Sequence, residues 1–474
     1  MSARGWFERL LDSVADHGIE LLGRLDVAVD DAPGEAELCH RLVDGVGEAS
    51  NVALAREILQ RWESMDDERR LAFLKLLAVE FDPDPEAIAA AAADYRPNAP
   101  HTLRRLLEVS EPPRQDLIRR LNMAPGGTAT LVAMRAWLLG VLRDHPDLRN
   151  VDADFQHLLA SWFNRGFLRL ERIDWNSPAA ILEKLIRYEA VHPMAGWDDL
   201  RRRLQSDRRC FAFFHPALPQ DPLIFVEVAL TREVADTIAP LTDPRAAIDD
   251  TSGADTAVFY SINNALAGLR GVSFGNFLIK QVVTELRAEL PQIATFVTLS
   301  PIPRMRQGLR ALMEASAQDR GEAGPRRGAS AQDLLAVIGE RAADLSRATG
   351  REAPLDALDH LIAEGVPGAL RKLVDELLRD MALFYLASLK RGAGAYDPVA
   401  HFHLSNGARL ERINVRANTS ERGRAEAWGC MVNYRYLDDE VVANHEAYAG
   451  DGRVTLGRDL DKAQRRLNAL MGRD

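Results

Sequence analysis

Four short stretches hold residue types that could do chemistry. The first is Arg270-Gly271-Val272-Ser273-Phe274-Gly275-Asn276, between an apolar run and a segment of helical period. Glycine lets the backbone approach a ligand because no Cβ intervenes. A helix start offers free N–H groups and the positive end of the dipole, which suit a pyrophosphate. Arg270 adds a charged fork. The same residues also read as Ser273 capping a helix after a tight turn. No Gly-Lys-Ser/Thr follows, so this is not a nucleotide P-loop. The second stretch is Leu299-Ser300-Pro301-Ile302-Pro303. A serine at the C-terminal end of a buried strand points into the crevice where open mixed sheets bind ligands. The prolines force a stiff, extended exit; a serine merely ending a strand is the plainer reading.

The third stretch is His401-Phe402-His403-Leu404. Read as a strand, its alternate residues share a face, so both histidines point one way. An imidazole titrates near neutrality and can serve as acid or base. A zinc site needs at least a third ligand, and no His or Cys motif is spaced to supply it. A solvent-facing pair is the remaining reading. The fourth is Asn433-Tyr434-Arg435-Tyr436, after the apolar Trp428-Gly429-Cys430-Met431-Val432. It reads as a strand with aromatic core residues, or as an amide and phenols that hydrogen-bond a substrate carboxylate or thioester. Cys430 lies in an apolar run with no activating base, which predicts a buried, inert thiol.

The elements that must position these residues fall into two textures. From residue 1 to about 165 the chain reads as successive helices. Leu71, Leu74, Ala78 and Phe81 share one helical face, and Leu131, Met134 and Leu138 share another. Pro83, Pro85 and Pro125-Gly126-Gly127 punctuate them. No repeat period stands out. This region carries no chemical constellation and predicts a helical domain, 1–165, for packing or oligomerisation. Cys210–Phe214, Leu223–Leu230, Ala257–Ile262 and Thr295–Leu299 are short apolar runs that read as buried strands. Leu278, Val282, Leu286 and Leu290 form a helical stripe that Pro291 stops. Strand, helix, strand at this spacing is a crossover on a sheet. Residues 304 to about 390 return to helix, with Gln318–Ser330 as a surface loop. From His401 the pattern is strand-like, and Asn406-Gly407 reads as a hairpin turn. The class is α+β: a helical domain, then a mixed-sheet domain, 166–474, with a helical insertion.

Global features narrow the function. A chain of 474 residues predicts two or three domains. Its 47% hydrophobic and 27% charged residues are a normal globular balance. A net charge of -11 argues against nucleic acid, whose binding rests on neutralising phosphates. An anionic ligand would need a local cluster of donors. Three cysteines make no disulfide framework, which fits a reducing compartment. No apolar run is long enough to cross a bilayer. Residues 1–24 hold Arg4, Arg9 and Arg24, as a mitochondrial presequence would, but Glu8, Asp12, Asp16 and Glu20 argue against one. Met471-Gly472-Arg473-Asp474 is no peroxisomal signal. Cytoplasm is the expected location.

In their order, the four stretches resemble the malonyl-CoA decarboxylase family. Asn122-Met123-Ala124-Pro125-Gly126-Gly127-Thr128, Gly166-Phe167-Leu168 with Glu171-Arg172, and Glu189-Ala190-Val191-His192-Pro193 extend the resemblance. So do Arg209 to Leu230 and His403-Leu404-Ser405-Asn406-Gly407-Ala408 with Arg412-Ile413-Asn414. It spans about residues 70–450. The resemblance implies a helical N-terminal domain and a catalytic domain of the N-acetyltransferase-like (GNAT) fold. It places the CoA pyrophosphate at Arg270 to Asn276, the catalytic serine at Ser300, the catalytic histidine at His403, and a tyrosine near the site at Tyr436. Two departures stand out: Arg304-Met305 replaces a Gly-Phe pair, and Ser273 stands where some members carry a carboxylate.

The implied reaction needs no cofactor or metal, because the thioester carbonyl takes the charge left by CO₂ as an enolate. The protein must hold the carboxylate perpendicular to the carbonyl plane, stabilise the enolate oxygen and deliver a proton. Ser300 is expected to orient the malonyl group and pass protons, and His403 to protonate the enolate carbon. Tyr436 and Asn433 are expected to position the carboxylate or the histidine. The expected partner is malonyl-CoA as substrate, with no nucleic acid, no membrane span and a homo-oligomeric assembly. Two other readings stay open: a CoA-dependent N-acyltransferase of the same fold, and a non-catalytic helical adaptor that retains CoA affinity.

Overall fold

A computed structural model describes residues 33–272, 278–318 and 329–473. The chain divides into two compact units. One comprises Met1–Arg169, Phe214–Leu223 and Asn264–Gly275; the other comprises Leu170–Phe213, Ile224–Asn263 and Asn276–Asp474.

The first unit is mainly helical over its described residues. Helices Glu48–Ser64, Asp67–Val79, Pro113–Leu121, Gly127–Val141 and Arg149–Trp162 surround one apolar core. The i, i+3, i+7 spacing of Leu131, Met134 and Leu138 turns all three onto that core, where each is fully buried. Leu74 and Phe81 are buried with them, and Leu71 packs at the edge. Burying one such side chain is worth roughly 1.5–3 kcal/mol. Asp66 caps the Asp67–Val79 helix by accepting the Arg69 N–H. The Pro-Gly-Gly turn has a specific cause. Gly126 adopts φ 73°, and a Cβ on Gly127 would lie 2.4 Å from the Leu121 carbonyl oxygen.

The second unit is built on an eight-stranded mixed sheet. Its strands are β1 (Arg169–Ile173), β2 (Arg208–Phe214), β3 (Ile224–Thr231), β4 (Thr256–Asn264), β5 (Thr295–Thr298), β6 (Ser300–Pro301), β7 (Arg409–Asn414) and β8 (Met431–Tyr436). The order is β1-β2-β3-β4-β5-β8-β6, with β7 paired to β8. Helix Leu278–Glu289 makes the expected crossover between β4 and β5, which run parallel from Thr256↔Thr295 to Phe259↔Thr298. It buries Leu278, Val282 and Leu286 of the expected stripe. The near-continuous apolar runs of β3 and β4 are buried on both faces, as central strands require. Helices Met305–Gln318, Ala331–Ile338, Arg341–Thr349, Pro354–Glu364 and Arg371–Leu383 fill the chain between β6 and β7. Of the expected Gln318–Ser330 loop, residues 319–328 lie outside the described residues. Ser330 itself caps the next helix in a capping box with Asp333.

Two local expectations are corrected. Residues Pro398–Ser405 form a helix, not a strand. Asp397 accepts the N–H groups of Val399 and Ala400, and Pro398 occupies the first turn, where its missing N–H costs nothing. This cap outweighs the two-residue alternation of histidines. Two positions on a helix are separated by about 200°, so His401 and His403 do not share a face. Asn406-Gly407 is the end of that helix rather than a hairpin turn. Only Gly407 has positive φ, at 80°, while the Ala408 N–H reaches the His403 carbonyl at 3.1 Å.

Candidate functional site

Strand pairing places Ser300. The last β4–β5 contacts are Phe259↔Thr298 and the Leu299 N–H to the Phe259 carbonyl, 2.9 Å. The chain then leaves β4 and pairs with β8, setting Ser300 opposite Val432. Thr298 and Ser300 are two residues apart, and their hydroxyls meet at 2.9 Å. The Tyr434 N–H of β8 also donates to Thr298 Oγ1, at 3.1 Å.

The Pro398–Ser405 helix brings His403 to this hydroxyl pair. His403 Nε2 lies 3.0 Å from Ser300 Oγ, and its Nδ1 lies 2.9 Å from the Tyr436 hydroxyl. The imidazole stacks on the Tyr434 ring, with centroids 4.5 Å apart and planes 23° off parallel. The result is a buried file of groups: Thr298, Ser300, His403, Tyr436. Burial lowers the His403 pKa to about 3, so the ring is neutral at ordinary pH. Burial also raises the Tyr436 phenol well above its usual range. Among the described residues no carboxylate is hydrogen-bonded to this file, and a phenol meets Nδ1 of the histidine.

A neutral imidazole carries one proton, and a hydroxyl donates only one. The file therefore has two consistent senses. In one, Tyr436 donates to Nδ1, Nε2–H donates to Ser300, and Ser300 donates to Thr298. In the other, Ser300 donates to Nε2 and Nδ1–H donates to Tyr436. Switching between them moves protons without creating net charge in a desolvated site.

The helix that carries His403 is itself anchored. Asp397 is fully buried and accepts from the Tyr385 hydroxyl at 3.4 Å besides the two helix N–H groups. Burial pushes its pKa up to about 6. His401 turns elsewhere: its Nδ1 is 2.8 Å from the Tyr448 hydroxyl, which accepts the Ala395 N–H at 2.6 Å. Asn433 is fully buried. Its amide donates to the Thr298 carbonyl at 2.7 Å and the Ala235 carbonyl at 3.1 Å. Its oxygen accepts from Arg412 at 3.0 Å and Asn414 at 2.7 Å. With its amide oxygen and nitrogen so engaged, Asn433 fixes the strand that bears Thr298. Cys430 is buried and its thiol is pushed up to about 12, as an inert core cysteine requires.

The glycine turn belongs to the helical unit. Arg135, almost wholly buried, donates to the carbonyls of Gly268 and Arg270, both at 2.8 Å. Gln156 donates to the Gly271 carbonyl at 2.8 Å. Gly271 has φ 78°, Val272 is buried and Arg270 is exposed. A Cβ on Gly268 would fall 1.9 Å from the Val132 carbonyl oxygen, so this glycine is required by close packing. Ser273, Phe274, Gly275 and Asn276 lie outside the described residues.

Thr298 is the member that sequence reasoning missed, and Tyr434 was named only within its stretch, without a role of its own. The period of two along β5 pointed at Thr298 once Ser300 was chosen. Tyr434 carried no distinguishing signal among neighbouring aromatics. Among the described residues, no three His, Cys, Asp or Glu side chains converge as a metal site, and no helix is long and apolar enough to cross a membrane.

Comparison with known proteins adds independent findings. Residues 166–471 match the family model of the malonyl-CoA decarboxylase C-terminal domain, and residues 81–163 match that of its N-terminal domain. The mitochondrial malonyl-CoA decarboxylase of Anser anser anser is 37% identical over 353 residues, 73% of this chain and 68% of the relative. That of Rattus norvegicus is 34% identical over 359 residues, 74% of this chain and 70% of the relative. The crystal structure of malonyl-CoA decarboxylase from Rhodopseudomonas palustris superposes with TM-score 0.78 at 43% identity, covering 90% of this chain and 98% of that one. The Agrobacterium vitis structure gives TM-score 0.73 at 43% identity, with 91% and 99% covered. The goose, rat and mouse relatives are named as mitochondrial, which overturns the expected cytoplasmic location. That expectation rested on acidic residues of the 1–24 stretch, which lies outside the described residues.

Proposed function

The chain belongs to the malonyl-CoA decarboxylase family of carboxy-lyases, and from this premise we propose that Ser300, His403 and Tyr436 convert malonyl-CoA to acetyl-CoA and CO₂. The observation that carries this reading is the file itself, with 3.0 Å from Ser300 Oγ to His403 Nε2 and 2.9 Å from His403 Nδ1 to the Tyr436 hydroxyl.

The carboxylate–carbon bond breaks and its electron pair moves into the thioester carbonyl, leaving an enolate and free CO₂. The enolate carbon then takes one proton, which water restores to the enzyme. Ser300 Oγ–H is the donor. Nε2–H of His403 reprotonates the serine as Tyr436 donates to Nδ1. His403 acts through Ser300 in this scheme, because Nε2 already faces the serine oxygen. The imidazole stays neutral before and after the step, so no imidazolium has to be desolvated; the enolate's negative charge passes to the Tyr436 oxygen, which takes its proton back from water. A positioned acid is typically worth about 10²–10⁴ in rate. A donor at the enolate oxygen typically adds about 10²–10³.

Residues Arg270, Gly271, Val272, Ser273, Phe274, Gly275 and Asn276 take the CoA pyrophosphate in this reading, supported by the positive φ and exposed guanidinium at its start. The 1–165 region supports a homo-oligomer, with Leu103 and Leu107 of the Pro100–Ser110 helix 44% and 63% exposed.

The test is incubation of purified protein with malonyl-CoA alone, following CO₂ and acetyl-CoA. Turnover by the parent, and a fall of about 10²–10⁴ in Ser300→Ala with unchanged melting, support the reading. Turnover that appears only with an added amine points instead to an N-acyltransferase. A folded Ser300→Ala with parental turnover removes Ser300 from the chemistry.

A further inference from the structure

A pocket lies in the sheet unit, away from the groups that the proposed decarboxylation uses. It encloses about 160 Å³ between the Arg371–Leu383 helix and the loop joining β7 to β8. Val374, Leu378 and the Trp428 indole give it an apolar lining. The indole is held in place, because its N–H donates to Asp359 Oδ1 at 2.7 Å while Asp359 also receives Arg306 at 2.8 Å.

The pocket's charge is one-sided. Arg371, Arg416 and Arg424 line it, and Asp375 is the single carboxylate among the lining residues. Arg416 pairs with Asp375 at 2.8 Å. Among the described residues Arg371 and Arg424 have no ion pair. Three guanidinium groups against one carboxylate give the pocket a positive rim, with Arg371 and Arg424 exposed to solvent, in a chain whose net charge is -11. Guanidinium forks match the geometry of a carboxylate or phosphate.

The backbone singles out the same place. Among the described residues only two non-glycine residues have positive φ, Arg416 at 55° and Trp428 at 52°. Both line this pocket. Each costs energy for an L-residue, and such residues cluster at ligand sites. Trp428 is the left-handed C-cap of the Glu421–Ala427 helix, and it and Arg416 line the one cavity together.

We propose that this pocket binds a small organic carboxylate, with the anion held by Arg371 and Arg424 and a short apolar chain lying against Trp428. It is a site separate from the Ser300 file. The occupant is a free short-chain acid, and a competition arm with CoA tests it against the anionic part of a CoA ester.

The test is calorimetric titration of the full chain with hexanoate, with 1-hexanol and inorganic phosphate as partial probes. Hexanoate should bind saturably and at least tenfold more tightly than either, because only it supplies both the charge and the chain. The Arg371→Ala/Arg424→Ala variant should lose at least tenfold in hexanoate affinity while keeping its melting temperature and its turnover of malonyl-CoA. Hexanoate binding should persist in saturating CoA. No saturable hexanoate binding, equal binding by the double variant, or displacement by CoA overturns the proposal. A parent that binds hexanoate without turning over malonyl-CoA leaves this site standing and refutes the decarboxylase reading alone.

Discussion

Two of the buried polar clusters in the sheet unit solve the cost of burial in opposite ways. The Thr298–Ser300–His403–Tyr436 file is uncharged throughout. The other cluster is ionic: Arg203 reaches Glu227 at 2.8 Å, with both almost wholly buried. Around it, Glu189 accepts the Ser261 hydroxyl at 2.8 Å and the His192 N–H at 2.6 Å, and Asn263 donates to Ser261 at 3.0 Å. Arg202 and Arg208 clasp fully buried Asp207, each at 2.8 Å. A buried ion pair is fixed by the charge left behind if either partner goes. A neutral hydrogen-bonded file is held far more weakly and can be reversed. The first kind of cluster suits a scaffold and the second suits proton transfer.

The largest effect should come from breaking the neutral file. His403→Asn removes the relay but keeps a polar side chain, so turnover should fall by about 10²–10⁴ with little change in denaturant midpoint. Because the folded pKa of His403 is about 3, the parent's turnover should show no limb from this imidazole between pH 6 and 8. A near-neutral limb that vanishes in the variant would show the ring to be charged in the working enzyme.

Breaking the ionic cluster should cost stability first. Arg203→Ala, measured by urea unfolding at pH 8 where Glu227 is ionised, leaves that carboxylate buried and uncompensated, a loss of about 3–5 kcal/mol. The pH dependence carries a definite sign. Burial raises Glu227 to about 7, with Arg203 pulling the other way. The folded state therefore holds its proton where the unfolded state has lost it, and this contribution to stability declines as pH rises from about 4.5 to about 7. Burial lowers both His192 and His403 to about 3, so they run in the reverse direction. Their contribution is fully present above the unfolded value of 6.5 and is lost as pH falls toward about 3. Glu227→Gln should flatten the decline on the way to neutrality and leave the acid limb. An unchanged profile would show that Glu227 is ionised throughout.

The smallest effect should be at His401, the neighbour of the relay on the same helix. His401→Asn forfeits one hydrogen bond to Tyr448, worth about 0.5–1.5 kcal/mol, and should leave turnover near parental. A turnover loss matching that of His403→Asn would erase the distinction between the two histidines.

Local pattern by itself determined much of this protein. Spacing of three and four put Leu131, Met134 and Leu138 on a core, and apolar runs bounded by proline or glycine marked β2 to β5, because helix and strand periods are properties of contiguous chain. The same locality picked out the Ser300 and Tyr436 stretches and the family resemblance. A local signal was also present but passed over: Asp397-Pro398 is a helix start, and it decides that His401 and His403 part company. Tertiary structure decided the rest. The Ser300–His403 hydrogen bond joins positions 103 apart in sequence. The engagement of the Asn433 amide by Thr298, Ala235, Arg412 and Asn414 depends on strand neighbours that no spacing records. The imidazole's neutrality follows from burial, a sum over every element packed around it. Sequence periodicity reports which face of an element is apolar, whereas a proton's path depends on which distant polar atoms that packing leaves within 3.0 Å of one another.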